Sequence, residues 1–405
     1  MSEKRKFING LITGLFLSVI IMGATYAGRE AVEVWKAHNG GGEPAQEEEV
    51  VNARTMQKLQ LIEDIIEEHY ALEMVDSKTM ENGIYEGLIN SLDDPYSAYF
   101  SAEEMQEQQE KMDGVYYGIG AYVKYDSEMG FARLGEIFAD SPALESGLQE
   151  GDLIVKVDGQ YTKDMGLDEV VALIKGEEGT KVVLTIMREG ETEAREIEVE
   201  RREVPKQTVT YEMLRDKIAY IRITEFDKVT VDQFTDALAT AKGAGMLGLV
   251  LDLRDNPGGN LAAVIDVARR ILPKGLVVYT EDKAGERQDY NCDGENELTV
   301  PMVVLVNGGS ASASEVLAGA IKDYDKGKLL GTTTFGKGIV QKYLGLSDGS
   351  AVKLTTSKYY TPKGNNIHEI GIEPDEELEM DYEQYLESGY DNQLERAVEI
   401  LTTGE

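Results

Sequence analysis

The spacing of apolar positions changes several times along the chain, and each change predicts a different kind of element. Phe7 to Ala27 is one apolar block without a charged side chain. As a helix rising about 1.5 Å per residue it spans ~30 Å, the depth of a bilayer core. Residues 37–52 are rich in Gly and Glu and read as a flexible linker. Leu59, Ile62, Ile66 and Tyr70 then recur at helical spacing. A second helix is expected over Lys78 to Leu92, broken by Asp93-Asp94-Pro95, and Ser101-x-x-Glu104 opens a third with a capping pattern. From Gly114 the period shortens to that of strands: Ala121–Tyr125, Gly135–Phe138, Gly151–Gly159 and Lys181–Arg188, with one helix over Leu167–Lys175. After Pro205 strands and helices alternate. Ile218–Ile223 alternates as a half-buried strand, and Leu247–Leu253 is continuously apolar, as a strand buried on both faces is. Helices follow over Val231–Lys242 and Leu261–Leu272, and the alternation continues to about Asp375, ahead of an acidic helical tail at Asp381–Thr403.

These changes divide the chain into an anchor or signal (1–28), a linker (29–52), a helical region (53–113), a strand-rich domain (114–190), a mixed α/β core (191–380) and a tail (381–405). The fold class is α/β multidomain, and no internal repeat is evident.

Composition narrows the partners. A net charge of −35 argues against nucleic acid and against an anionic membrane surface as direct ligands. The apolar block follows Lys4-Arg5-Lys6, which places that end in the cytoplasm and the rest of the chain outside a bacterial cell membrane. Cleavage as a signal peptide is the rival; Thr25-Tyr26-Ala27 suits it poorly, so an uncleaved anchor is expected. Cys292, the only cysteine, lies in a polar turn and reads as an incidental surface thiol.

The candidate chemistry centres on Val306–Gly319, VNGGSASASEVLAG. An apolar strand ends there in a glycine turn, and a helix begins beyond Ser310-Ala311-Ser312-Ala313-Ser314-Glu315. Ser312-x-x-Glu315 fits a capping box, which is a structural role. It also fits a nucleophile at a strand-to-helix turn, where helix-start N–H groups face outward. Gly331–Lys337 nearly spells a phosphate-binding loop, but Gly338 stands where Ser or Thr would hold magnesium, and no helix follows. Lys337 instead reads as a base: Phe335 and Ile339 suggest partial burial, which lowers a lysine pKa and lets the neutral amine take a proton from serine. Only one of the three histidines, His368, lies in the core region, so a Ser–His–Asp triad ranks below a Ser/Lys pair.

Two resemblances join these pieces. Residues 114–190 resemble a PDZ domain of the circularly permuted kind found in bacterial envelope proteases. That resemblance implies a peptide strand added at Ala121–Tyr125 beside the Leu167–Lys175 helix, with its terminal carboxylate held by the loop of Tyr117, Gly118, Ile119 and Gly120. The serine cluster, Thr334-Phe335-Gly336-Lys337-Gly338 with Gln341, Asp94-Pro95-Tyr96-Ser97 and Asp252-Leu253-Arg254 are similar to motifs of the carboxyl-terminal processing peptidases. The likeness runs over about residues 53–380. It implies a serine endopeptidase with Ser312 as nucleophile, Lys337 as general base and Gln341 orienting it. It adds Asp323 as a further catalytic residue, and the N–H groups of Ala313 and Gly258 as the oxyanion hole. No cofactor or metal is implied. The expected partners are proteins with exposed carboxyl-terminal tails, the membrane through the amino-terminal helix, and a second copy in a homodimer. The rival reading from another class is a non-catalytic PDZ scaffold tethered at the membrane.

Overall fold

The computed structural model describes residues 49–138 and 140–404. Phe7–Ala27 lies outside them, and among the described residues no helix is long and apolar enough to cross a membrane. The chain divides into one unit ending at Asp76 and another of Ser77–Glu405. The first holds α1 (Ala53–His69). Asn52 starts this helix: its Oδ1 accepts the N–H groups of Arg54 and Thr55 at 3.0 and 3.1 Å, satisfying donors that a first turn leaves free.

The second unit opens with α2 (Ser77–Asn90), the short strand β1 (Ala98–Phe100) and α3 (Ala102–Asp113). The Ser101/Glu104 capping box forms as its spacing predicts, with reciprocal bonds of 2.8 and 3.3 Å. Next come β2 (Val115–Gly118), β3 (Ala121–Asp126), β4 (Phe131–Ile137), α4 (Pro142–Glu145), β5 (Leu153–Val157), β6 (Gln160–Tyr161), α5 (Leu167–Ile174), β7 (Lys181–Met187), β8 (Arg195–Glu200) and β9 (Arg202–Pro205). Strands β3-β4-β5-β7-β8 make an antiparallel sheet, with β6 beside β5. Its core gathers Leu134, Ile154, Leu184 and Ile186 against Val170 and Ile174 of α5. The sheet passes the boundary expected at 190, because β8 pairs with β7 along its length. Gly190 makes a turn of positive φ there rather than an exit, and β8 itself brings only Ile197 and Val199 to the core. A separate pair, β2 with β9, closes the neck of this domain.

The remaining elements are β10 (Val209–Met213), β11 (Ile218–Ile223), α6 (Lys228–Gly243), β12 (Gly248–Asp252), α7 (Leu261–Ala268), β13 (Gly275–Asp282), β14 (Arg287–Cys292), β15 (Met302–Val306), α8 (Ala313–Asp323), β16 (Lys328–Gly331), β17 (Ile339–Gly345), β18 (Ala351–Tyr360), β19 (Glu376–Glu377), α9 (Tyr382–Ser388) and α10 (Asn392–Thr403). The central sheet runs β10-β11-β12-β15-β16-β19, parallel from β11 onward. A parallel sheet needs cover on both faces. Leu249 and Leu251 of β12 join α6, α7 and α8 on one face, while Val250 meets Ala397 and Val398 of α10 on the other. The acidic tail is therefore a layer of the core. A second sheet orders β1-β18-β13-β14, with β17 also paired to β18, so residues 98–100 are built into a strand more than two hundred residues later.

Arg254 ties the central sheet to the tail. Its guanidinium donates to Asp252 at 2.7 Å and to Asp391 at 2.8 Å, and Asp252 is fully buried with a further bond from the Tyr220 hydroxyl. Burial opposes the arginine's charge, but the two carboxylates outweigh it and push its pKa up. Cys292 is buried rather than on the surface, with Sγ 3.4 Å from the Leu272 carbonyl oxygen. Replacing Arg254 by Leu strands the Asp252 carboxylate without its cation. We expect a loss of about 3–5 kcal/mol, read as a lower denaturant midpoint; an unchanged midpoint would contradict this account.

Candidate active site

Loops leave the carboxyl ends of three parallel strands, β12, β15 and β16, the usual place for ligands in open α/β sheets. Hydrogen bonds stitch them together. Ser310 Oγ donates to the Leu253 carbonyl at 2.7 Å, and Ser314 Oγ to the Asn256 carbonyl at 2.9 Å. Ala311 N–H also reaches the Asn256 carbonyl, at 3.0 Å, and Phe335 N–H reaches the Ser310 carbonyl, at 3.0 Å. The outer two serines of the cluster thus fasten loops.

Ser312 stands between them at the start of α8 with φ of 53°, a positive value that a side chain rarely adopts. Such a backbone persists only where its surroundings overdetermine it. Here Ser312 N–H donates to Glu315 Oε2 at 2.8 Å, and its carbonyl accepts from the Tyr359 hydroxyl at 3.0 Å. The serine hydroxyl makes no cap hydrogen bond, so the capping role expected of this spacing falls to Glu315.

Glu315 is fully buried. Beyond Ser312, it accepts from Thr334 Oγ1 at 2.6 Å, Gly336 N–H at 2.7 Å and Lys337 N–H at 2.8 Å. One oxygen, Oε2, therefore holds the main chains of both Ser312 and Lys337. The Tyr359 hydroxyl faces the same two residues from the other side, lying on the carbonyl oxygens of Ser312 and Lys337. Burial beside the Glu315 charge keeps this phenol well above its usual pKa, and so protonated.

The Lys337 side chain is half-buried. Its Nζ lies over the ring of Tyr96, 4.3 Å from the centroid. Burial lowers its pKa, the nearby Lys353 lowers it further, and Asp94 opposes both. Of the two residues expected to share that burial, Ile339 is itself buried, whereas Phe335 is 58% exposed. Gln341 sits on β17 opposite Thr355, to whose Oγ1 its Nε2 donates at 3.2 Å. A Cβ at Gly338 would stand 2.5 Å from the main-chain nitrogen of His368, so the core histidine backs the turn that carries Lys337.

At the oxyanion position, Ala313 N–H has no partner among the described residues, as expected at the first position of a helix. Gly258 packs directly against it: a Cβ there would come within 2.9 Å of Ala313 N and Ser312 Cβ. The Gly258 N–H, however, donates to Asn256 Oδ1 at 2.9 Å. Gly258, expected as the second oxyanion donor, thus lies beside Ser312 and Ala313 with its N–H already engaged. Asp323 is a clear correction. It ends the helix that Ser312 begins, about 16 Å away along the axis. Its Oδ2 accepts Lys363 N–H at 2.8 Å, which fastens a turn.

The strand-rich domain presents β3 as a free sheet edge, since β3 pairs with β4 alone. Ala121 and Val123 of β3 pack into the same cluster as Leu167 and Leu173 of α5, which sets the helix beside the strand edge. Of the expected carboxylate loop, Tyr117 and Gly118 belong to β2 and pair with β9. Ile119 and Gly120 form the turn into β3, and their carbonyls are held by the N–H groups of Ala143 and Phe138 at 2.7 and 3.0 Å. Gly120 has φ of 79°, and a side chain there would collide with Ser141.

Comparison with known proteins agrees with this arrangement. Residues 217–378 match peptidase family S41, residues 136–188 a PDZ domain, and residues 18–104 the activating protease CtpB N-terminal domain. The carboxyl-terminal-processing protease of Synechocystis sp. is 36% identical over 325 residues, covering 79% of this chain and 76% of that one. The carboxy-terminal processing protease CtpA of Bacillus subtilis is 37% identical over 319 residues, covering 78% and 67%. The chain belongs to the carboxyl-terminal processing proteases of peptidase family S41. A solved S41 protease from Bacteroides fragilis has a TM-score of 0.50 at 19% identity, over 85% of this chain and 97% of that one, a likeness of fold. The protease is thus a serine-type peptidase with a PDZ domain.

Two residues of the protease's site went unread in the sequence. Glu315 was visible only as a cap, and Tyr359 is one of two adjacent tyrosines on β18 with no local signal to single it out. Glu315→Gln would turn an amide NH₂ toward N–H donors. We expect kcat/KM to fall by about 10²-fold through misplacement of the serine and lysine loops, while Asp323→Asn stays within about twofold of the parent. Assays of both variants on an unfolded protein check this; the reverse ranking would refute the geometry above.

Proposed function

We propose that the protease is an extracytoplasmic endopeptidase that binds carboxyl-terminal tails of proteins through its PDZ groove and cuts them with a Ser312/Lys337 dyad. The observation that carries this reading is the shared clamp. Glu315 and Tyr359 each hold the backbones of both Ser312 and Lys337, so two residues 25 positions apart are fixed as one unit. Neutral Lys337 takes the proton as Ser312 Oγ attacks the peptide carbonyl. The proton then passes to the leaving amine, and water releases the acyl group by the reverse path. Ala313 N–H stabilises the oxyanion at the positive end of α8. Gly258 N–H becomes a second donor on leaving Asn256. Gln341 donates to Thr355 in this structure; the orienting role that the family likeness implies needs its amide to turn toward the neutral lysine, to which it adds no charge. A tail added to β3 gains main-chain hydrogen bonds, with α5 reading its side chains. The membrane anchor at Phe7–Ala27, and a homodimer through helical regions such as α9 with its exposed Leu386, belong to the same proposal.

Ser312→Ala should abolish cleavage of an unfolded protein while a tail peptide still binds. Lys337→Ala should be nearly as inactive. Because the Lys337 pKa is lowered by burial first and Lys353 second, kcat/KM should rise along an acidic limb below the usual lysine pKa of ~10.4. Fragment mass spectrometry and a pH series provide the measurements. Normal cleavage by Ser312→Ala would remove Ser312 as the nucleophile, and absence of cleavage by the parent protein would leave a tail-binding role only.

A further inference from the structure

The only partner of the Lys337 ammonium among the described contacts comes from far away in the chain, from the segment that carries β1. Tyr96 presents its ring face to Nζ at 4.3 Å. Asp94 shapes that segment: its Oδ1 accepts Tyr96 N–H at 3.0 Å and its Oδ2 accepts Ser97 Oγ–H at 2.6 Å. Ser97 Oγ in turn accepts Thr355 N–H at 3.1 Å, next to the Thr355 hydroxyl that engages Gln341. Lys353, paired with Ala98 across β18 and β1, is a second half-buried lysine beside the same carboxylate, with Nζ over the Phe100 ring.

We propose that Tyr96, Asp94 and Lys353 are positioning residues for Lys337, and that the Asp94–Phe100 segment is a wall of the catalytic centre. This rests on Lys337 serving as the base. The ring and the carboxylate seat the cation, and the second lysine opposes it. Both lysines feel the Asp94 charge, which favours their protonated forms, while burial lowers the pKa of each. The electrostatics agree in sign. Asp94 raises and Lys353 lowers the tendency of Lys337 to hold its proton. Asp94 remains an anion although burial opposes it, because hydrogen bonds from Ser97 and Thr355 hold its pKa down. The other groups around the lysine turn are Glu315 on its N–H, the Tyr359 hydroxyl on its carbonyl, and His368 behind Gly338. These meet the main chain rather than the ammonium.

The test is the pH dependence of kcat/KM for the full chain on fluorescently labelled, unfolded casein. Tyr96→Leu removes the π face that favours the cation, so the acidic limb should move down by about half a pH unit or more. Lys353→Met removes a repelling charge, so the same limb should move up by a similar amount, about half a unit. Tyr96→Phe keeps the ring face and should leave the limb in place. A merely structural role would lower turnover without moving the limb. Limbs that stay put, or move the same way in Tyr96→Leu and Lys353→Met, overturn the proposal. Lys353→Met alone decides the matter if Tyr96→Leu fails to fold. Lys337→Ala separates the two levels: if it is active, the dyad itself is wrong; if it is inactive and the limbs do not move, only the present inference fails.

Discussion

One buried carboxylate holds this protein's site together. Glu315 has no solvent to stabilise it, and a buried charge without compensation costs several kcal/mol. Compensation comes from four donors on two loops. The charge is satisfied only when the serine turn and the 334–337 turn are both closed around it. Ser312 is therefore forced into its positive φ by the same contact that places Lys337. The relative placement of Ser312 and Lys337 is thus a condition for burying one side chain.

The surrounding architecture serves that contact. Parallel strands β12, β15 and β16 set three loops side by side, and the tail helix α10 covers the sheet face that α6, α7 and α8 leave open. The flanking serines then spend their hydroxyls on loop carbonyls, so only the middle one is free of structural work. Gly258 completes the floor by having no side chain where one would strike Ser312. The PDZ domain connects through β2 and β9 and keeps a strand edge free, which suits a module that receives chain ends.

Much of this was legible in the sequence because it was local. The continuous apolar run at Leu247–Leu253, the Ser101/Glu104 box and the strand-turn-helix at Ser312 each carry their signal within a few residues. Lys337 was found through its glycines and through the family likeness. What could not be read was contact between distant segments. The role of Tyr359 depends on where β18 passes, and that of Tyr96 on β1 joining β18. Asp323 failed for the complementary reason: nearness along the chain looked like nearness in space, but a helix carries its ends apart. The state of the Gly258 N–H depends on the Asn256 rotamer, which composition does not determine. Cys292 looked exposed because its neighbours are polar, yet a strand turns alternate residues inward.

The pairing of β1 with β18 also bears on how the enzyme comes into being. The segment beside the lysine is synthesised early, the serine and lysine later, and Tyr359 after both. A growing chain that has just passed residue 345 already contains Ser312, Lys337 and Gln341, but has neither the strand that receives β1 nor the hydroxyl that bridges the pair. The contacts that hold Ser312, Lys337 and the 98–100 strand together are therefore complete only with the last strand of the second sheet.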